Sequence, residues 1–272
     1  MYLVATPIGN LEDITLRAIK VLKEVDLIVA EDTRHTLKLL NYLEIKKPLT
    51  SYYKQNEKTK SNILINKILN GENIALVSDA GTPAISDPGE EIVKKAIENN
   101  IKIIPVPGAC AAINALICSG INTKEFLFMG FLPVNKKEKK EKLEEVKMFK
   151  QTLIFYEAPH KLLNTLQDIQ KIVGDRKIVL AREITKIHEE YIRGLISEVI
   201  KQLEEPKGEF VIIVEGNKYN SNTPQQEHLN TLTFEQQYNY SETQKSAKKE
   251  IKKKIAKDRK TNKNEIYQHF II

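Results

Sequence analysis

Short apolar runs rich in Val, Ile and Leu alternate with segments of helical period along most of this chain, and that alternation limits the possible folds more than any other feature. The strand candidates are Leu3–Thr6, Asp26–Ala30, Ile74–Ser78, Ile101–Val106, Phe126–Met129, Thr152–Tyr156, Lys177–Ala181 and Glu209–Val214. Between them lie amphipathic stretches such as Leu16–Lys23, Ile63–Leu69, Ile92–Ile97 and Leu162–Ile172. Strand followed by helix, repeated, predicts an α/β architecture with mainly parallel sheets and crossover helices. At roughly 150 residues per domain, 272 residues imply two such domains. We expect them at residues 1–120 and 121–217, with a ligand cleft between them, followed by a polar linker at 218–240 and a basic helical tail at 241–272. The run Lys136–Lys150 is polar almost all round and reads as a solvated helix early in the second domain.

The placement of charge matters more than its sum. The net charge is +6, and Ser241–Ile272 alone holds ten Lys/Arg against four Asp/Glu, which leaves the first 240 residues neutral. A neutral body with a cationic tail fits a partner that is a polyanion, nucleic acid ahead of an anionic membrane. In the tail, Ser241 and Gln244 form a capping-box pattern before a stripe of Ala247, Ile251 and Ile255. Lys245, Lys248, Lys249, Lys252 and Lys253 are the candidate phosphate contacts there.

Several familiar chemistries are excluded by spacing. Eleven glycines never come closer than eight residues apart, so neither GxGxxG nor GxxxxGK is present. The histidines at 35, 160, 188, 228 and 269 form no HExxH, and there is no CxxC and no GxSxG, so we expect no zinc site, no other metal and no hydrolase elbow. MYLVATPIGN lacks a basic n-region and is not expected to act as a signal peptide, and the longest apolar stretch, Ile101–Cys118, is broken by Lys102, Pro105, Pro107 and Asn114. Cys110 and Cys118 fall eight residues apart in one expected helix, roughly 12 Å along its axis and beyond disulfide reach, which points to a reduced, cytoplasmic protein.

Four turn-rich loops follow expected strands: Ala5–Thr15, Ala30–Thr36, Ser78–Gly89 and Pro105–Leu116. Each alone is as readily an ordinary turn whose Asp or Ser caps a helix. Four at the carboxyl edge of one open sheet form the default ligand site. Asn10, Glu12 and Asp13 are candidate caps in the first. AEDTRHT sets Glu31, Asp32, Arg34 and His35 at a strand-to-helix junction.

These loops carry a resemblance. ATPIGNLEDIT, AEDTRHT, SDAGTPAISDPG, GFLP, IFYEAPHKL, AREITKIHEE and GEFVIIVEG, in unbroken order from Tyr2 to about Gly216, resemble the ribosomal RNA small subunit methyltransferase I family of the tetrapyrrole methylase superfamily. The resemblance implies two α/β domains, S-adenosylmethionine bound between them, a homodimer, and methylation of a cytidine ribose 2′-hydroxyl in the decoding region of 16S ribosomal RNA within the 30S subunit. Carried over by motif, the cofactor contacts are Pro7, Gly9, Asp79, Gly81, Ile85, Cys110, Ala111, Tyr156 and Ala181. The family usually has Pro-Ser after Pro107-Gly108, where this chain has Ala109-Cys110. Glu31, Asp32 and Asp87 are the candidate proton acceptors. Arg34, with His35 beside it, is a candidate RNA contact through its bidentate fork. Two alternatives stand beside this reading: a methylase of a porphyrinoid precursor, for which a basic tail has no use, and a non-catalytic RNA-binding or assembly module.

Overall fold

The computed structural model describes residues 1–203 and 205–218. Two five-stranded sheets account for most of the buried chain. The first has the order β3-β2-β4-β1-β5, from β1 (Tyr2–Val4), β2 (Leu27–Ala30), β3 (Leu49–Ser51), β4 (Ile74–Val77) and β5 (Ile104–Val106), every pairing parallel. β2 and β4 are buried at all four positions because helices cover both faces. Helices α1 (Leu16–Glu24) and α2 (Thr33–Tyr42) bury Leu22 and Leu40 against Ile28 and Val77. Helices α3 (Glu57–Leu69) and α4 (Glu90–Glu98) bury Leu64 and Ile92 against Val29 and Leu76 on the other face.

The following helix, α5 (Ala111–Ile117), leaves the first sheet. Its Ala112, Ala115 and Leu116 pack on Ile154, Val211 and Ile213 of the second sheet. That sheet has the order β6-β7-β10-β8-β9, from β6 (Phe126–Phe131), β7 (Thr152–Glu157), β8 (Lys177–Arg182), β9 (Glu190–Leu195) and β10 (Phe210–Val214). Helices α6 (Lys136–Val146), α7 (Pro159–Val173) and α8 (Ile196–Gln202) cover its opposite face through Leu143, Leu166 and Val199.

The expectation of mainly parallel pairing holds for the first sheet and fails for the second. Only β6–β7 is parallel there, whereas β7–β10, β10–β8 and β8–β9 are antiparallel. The seven residues from Glu183 to Glu189 are too few for a crossover, which takes a dozen or more, so β8 and β9 form a hairpin. Strands β3 and β9 are additions to the expected set. Both are edge strands, the first only three residues long and the second interrupted by Glu190, Arg193 and Gly194, so neither shows an apolar run.

Cys110 and Cys118 are the N-cap and C-cap of α5, not interior residues of one helix, and both are free thiols. Asn10 caps a single 3-10 turn at Leu11–Asp13, and Thr15 caps α1 by accepting from the Ala18 N–H at 3.0 Å. Met1–Gly216 forms one compact unit. The expected tail and nearly all of the linker, including Lys245, Lys248, Lys249, Lys252 and Lys253, lie outside the described residues. Among the described residues no helix is long and apolar enough to cross a membrane.

Candidate active site

The four loops are tied together at the carboxyl edge of the parallel sheet. Thr6 and Gly81 exchange two backbone hydrogen bonds, of 2.9 and 3.0 Å, so the β1 and β4 loops meet in a two-residue bridge. Gly81 sits at φ +87°, a left-handed conformation that a Cβ would strain. The Thr82 hydroxyl donates to the Ala109 carbonyl at 3.0 Å, fastening the β5 loop. At Gly108 an added Cβ would stand 2.9 Å from Ala5 Cβ, closer than real side chains approach. Asp79 accepts from the Asp32 N–H at 2.9 Å, which brings in the β2 loop.

A cavity of about 400 Å³ lies between this edge and the second sheet. Ile8, Gly81, Thr82, Ile85 and Asp87 form one wall, and Cys110 and Ala111 form its floor. The facing wall is Phe131, Tyr156, Glu157, Ile184 and Phe210, with Glu209 beside them. Its charged lining residues are Asp87, Glu157 and Glu209, all acidic. Glu157 is buried, its carboxylate accepting from the Thr165 hydroxyl at 2.6 Å and the Ala158 N–H at 2.9 Å. Tyr156 is fixed by edge-on contacts with Phe128 and Phe131, and its hydroxyl accepts from the Ala112 N–H at 3.1 Å. Burial, with the Cys110 thiol next in weight, pushes its phenol up to about 12.

Of the cofactor contacts implied by resemblance, Gly81, Ile85, Cys110, Ala111 and Tyr156 line this cavity. Pro7 and Asp79 line a smaller cavity of about 40 Å³ instead, shared with His35 and the unpartnered Thr36 hydroxyl. Gly9 faces the second lobe, where an added Cβ would collide with Lys186 Cγ and stand 3.0 Å from Thr185 Oγ1. Ala181 is wholly buried in the core beneath α5. Sequence reasoning missed Phe131, Glu157, Ile184, Glu209 and Phe210, all on the far wall, which the packing of the two sheets brings to the cavity.

The candidate proton acceptors separate sharply. Asp32 caps α2 by accepting from the Arg34 N–H at 2.8 Å, and the Arg34 guanidinium closes on it at 2.7 and 3.1 Å. Those bonds to Arg34 hold the Asp32 carboxyl down at about 2. Glu31 is the reverse case: burial first, then the charges of Asp87, Asp79 and Asp32, push it up to about 7. Asp87, on the cavity wall, is also raised by burial, with a hydrogen bond from Ser78 opposing. Arg34 spends the Nε and Nη2 edge of its fork on Asp32, and its side chain is 88% exposed.

A two-sheet α/β body with a ligand cavity between the sheets is the fold of a methylase group. The model of the tetrapyrrole (corrin/porphyrin) methylases matches residues 1–200. Among solved structures, a diphthine synthase superposes with a TM-score of 0.61 at 12% identity, covering 80% of this chain and 90% of that one. A uroporphyrin III C-methyl transferase from Thermus thermophilus gives 0.56 at 16%, covering 78% and 96%. Similarity at this level shows the fold alone. The ribosomal RNA small subunit methyltransferase I of Halalkalibacterium halodurans is much nearer, 49% identical over 98% of this chain and 93% of its own. The chain belongs to the ribosomal RNA small subunit methyltransferase I family.

Proposed function

We propose that this protein transfers a methyl group from S-adenosylmethionine to a cytidine ribose 2′-hydroxyl in the decoding region of 16S ribosomal RNA, as a cytoplasmic homodimer acting on the 30S subunit. The observation that carries the donor assignment is the cavity itself. Its volume of about 400 Å³ lies within the roughly 300–1,000 Å³ of small-molecule sites. Its wall is largely apolar, and its charged lining residues are three carboxylates, a lining suited to a ligand with net positive groups. The residues therefore fit the donor. Gly81, Ile85, Cys110, Ala111 and Tyr156 would hold it, together with Glu157 and Asp87.

When bound, the donor supplies an electrophilic methyl on a sulfonium. The protein's part is alignment and proton removal. Tyr156 and the knitted loops form a rigid seat, and positioning of this kind reaches effective molarities on the order of 10⁵ M. A 2′-hydroxyl is a poor nucleophile at neutral pH, so a carboxylate that accepts its proton assists as the oxygen attacks. Of the three candidate carboxylates only Asp87 lines the cavity; Glu31 lies near enough for the Asp87 charge to add to burial in pushing it up to about 7, and we assign proton removal near neutral pH to this pair, with Glu31 as its titrating member. Asp32, held at about 2 by Arg34, is a far weaker base and serves the helix cap. The basic tail and Arg34 with His35 would contact phosphates.

Calorimetric titration of the pure protein with S-adenosylmethionine, followed by methyl transfer to 30S subunits and mapping of the labelled nucleotide, tests this reading. Uptake of the donor and one labelled cytidine are expected. No donor uptake overturns the enzymatic assignment, and label on a base carbon or on a porphyrinoid acceptor alone overturns the substrate.

A further inference from the structure

Strand β6 carries two phenylalanines three residues apart, Phe128 and Phe131. Side chains three apart in a regular strand point to opposite faces. Here the register slips: Phe128 pairs with Ile154, Gly130 with Phe155 and Phe131 with Tyr156, which leaves Met129 as an extra residue. Gly130 takes φ +61°, where a side chain would be strained. This bulge brings both rings onto Tyr156, edge-on, with centroids 5.0 and 5.6 Å away. Bulges beside active sites commonly re-aim a side chain in this way.

The two rings then meet different surroundings. Phe128 packs against the core beneath α5. Phe131 stands on the cavity wall yet is 60% exposed. Core packing does not account for a ring that a bulge carries to a cavity and leaves mostly in water. Its direction is nevertheless fixed, because the Tyr156 ring it leans on is anchored by the Ala112 N–H. Downstream come Val134, 79% exposed, and the first turn of α6, which opens with Lys136 and Lys137. Cations in a first turn oppose the helix dipole; Lys137 faces Glu141 one turn on at 4.0 Å yet stays 86% exposed, and Lys136 beside it is exposed too, so both ammonium groups are open to phosphates.

We infer that Phe131 is a stacking platform for a nucleobase of single-stranded RNA at the cavity mouth, with Lys136 and Lys137 receiving the flanking phosphates. A nucleotide drawn out of its stack loses its neighbours' faces, and an aromatic side chain replaces one of them for any base. The platform sets which ribose is presented to the cavity. This inference rests on the RNA methyltransferase reading, and it names where that substrate is gripped.

The test compares wild type with Phe131→Ala, Phe131→Leu and Phe131→Trp. One readout is fluorescence of a single-stranded oligoribonucleotide containing 2-aminopurine, which is quenched on stacking. Others are KM and kcat on 30S subunits and calorimetric affinity for S-adenosylmethionine. We expect quenching by wild type and Phe131→Trp and none by the Ala and Leu variants, with KM for the subunit raised roughly 5- to 150-fold in both and donor affinity changed far less than KM. Wild-type KM in Phe131→Ala, full retention in Phe131→Leu, or loss of donor affinity in step with RNA affinity would overturn the platform. Quenching without any methyl transfer by wild type would instead remove the methyltransferase reading and leave the platform standing.

Discussion

Replacing Glu31 by glutamine isolates a carboxyl that the fold holds near neutrality. Its proton affinity rises from the ordinary 4.5 to about 7 through burial and the charges of Asp87, Asp79 and Asp32. Between those two values the folded protein keeps a proton that the unfolded chain has released. Stability therefore falls as pH rises across that window, and the penalty is complete above about pH 7. At 1.36 kcal/mol per unit the ceiling is about 3 kcal/mol. The side chain is only half-buried, so solvent screening reduces this to about 1 kcal/mol. Glu31→Gln carries no such penalty. It should melt about 2–4 °C above wild type at pH 8 and level with it at pH 4.5. Turnover should behave oppositely: wild-type kcat climbs through pH 7 as Glu31 ionises, whereas the variant stays flat and lower by on the order of 10²-fold. Donor affinity should be nearly unchanged. Paired thermal melts and pH–rate profiles read both effects. A melting gap that is the same at pH 4.5 and pH 8, or wild-type turnover in the variant, refutes the assignment of Glu31 as the neutral-range base.

Two further outcomes follow from other parts of the molecule. Gly9→Ala drives a methyl into Lys186 Cγ and toward Thr185 Oγ1, so the two loops must part at a cost of about 1–3 kcal/mol. A melting point lower by several degrees and weaker binding of S-adenosylmethionine are expected, and an unchanged melt with weaker binding would instead make Gly9 a direct cofactor contact. Deleting Ser241–Ile272, with its surplus of six positive charges, should weaken RNA binding and flatten its salt dependence by about 0.7 in log–log slope per lost single-strand phosphate contact. An unchanged slope in filter binding would assign the tail to solubility alone.

What the sequence disclosed and what it hid divide along a physical line. The loops that carry Gly81, Ile85 and Cys110 and lead into α5 at Ala111 were legible as a ligand edge because they follow the carboxyl ends of parallel strands, and the family resemblance singled out those four residues within them. Glu157, Ile184 and Glu209 were not, since nothing local says that α5 will leave its own sheet and pack on Val211 and Ile213, which is what seats the second sheet across the cavity. Adjacent residues with the same chemistry pose a harder problem. Glu31 and Asp32 read alike in a string of letters, and their difference of about five units in proton affinity comes from the burial of Glu31, from two aspartates that arrive from 47 or more residues away, and from one bidentate arginine on Asp32. Phe131 does have a local signal: a lone glycine between apolar residues inside a strand marks a bulge, and the spacing Phe-Met-Gly-Phe states which two rings that bulge will align. Glycine in a strand thus carries more information about this site than any of its charged residues, because it fixes a direction, whereas a charge acquires its meaning only from the neighbours that folding supplies.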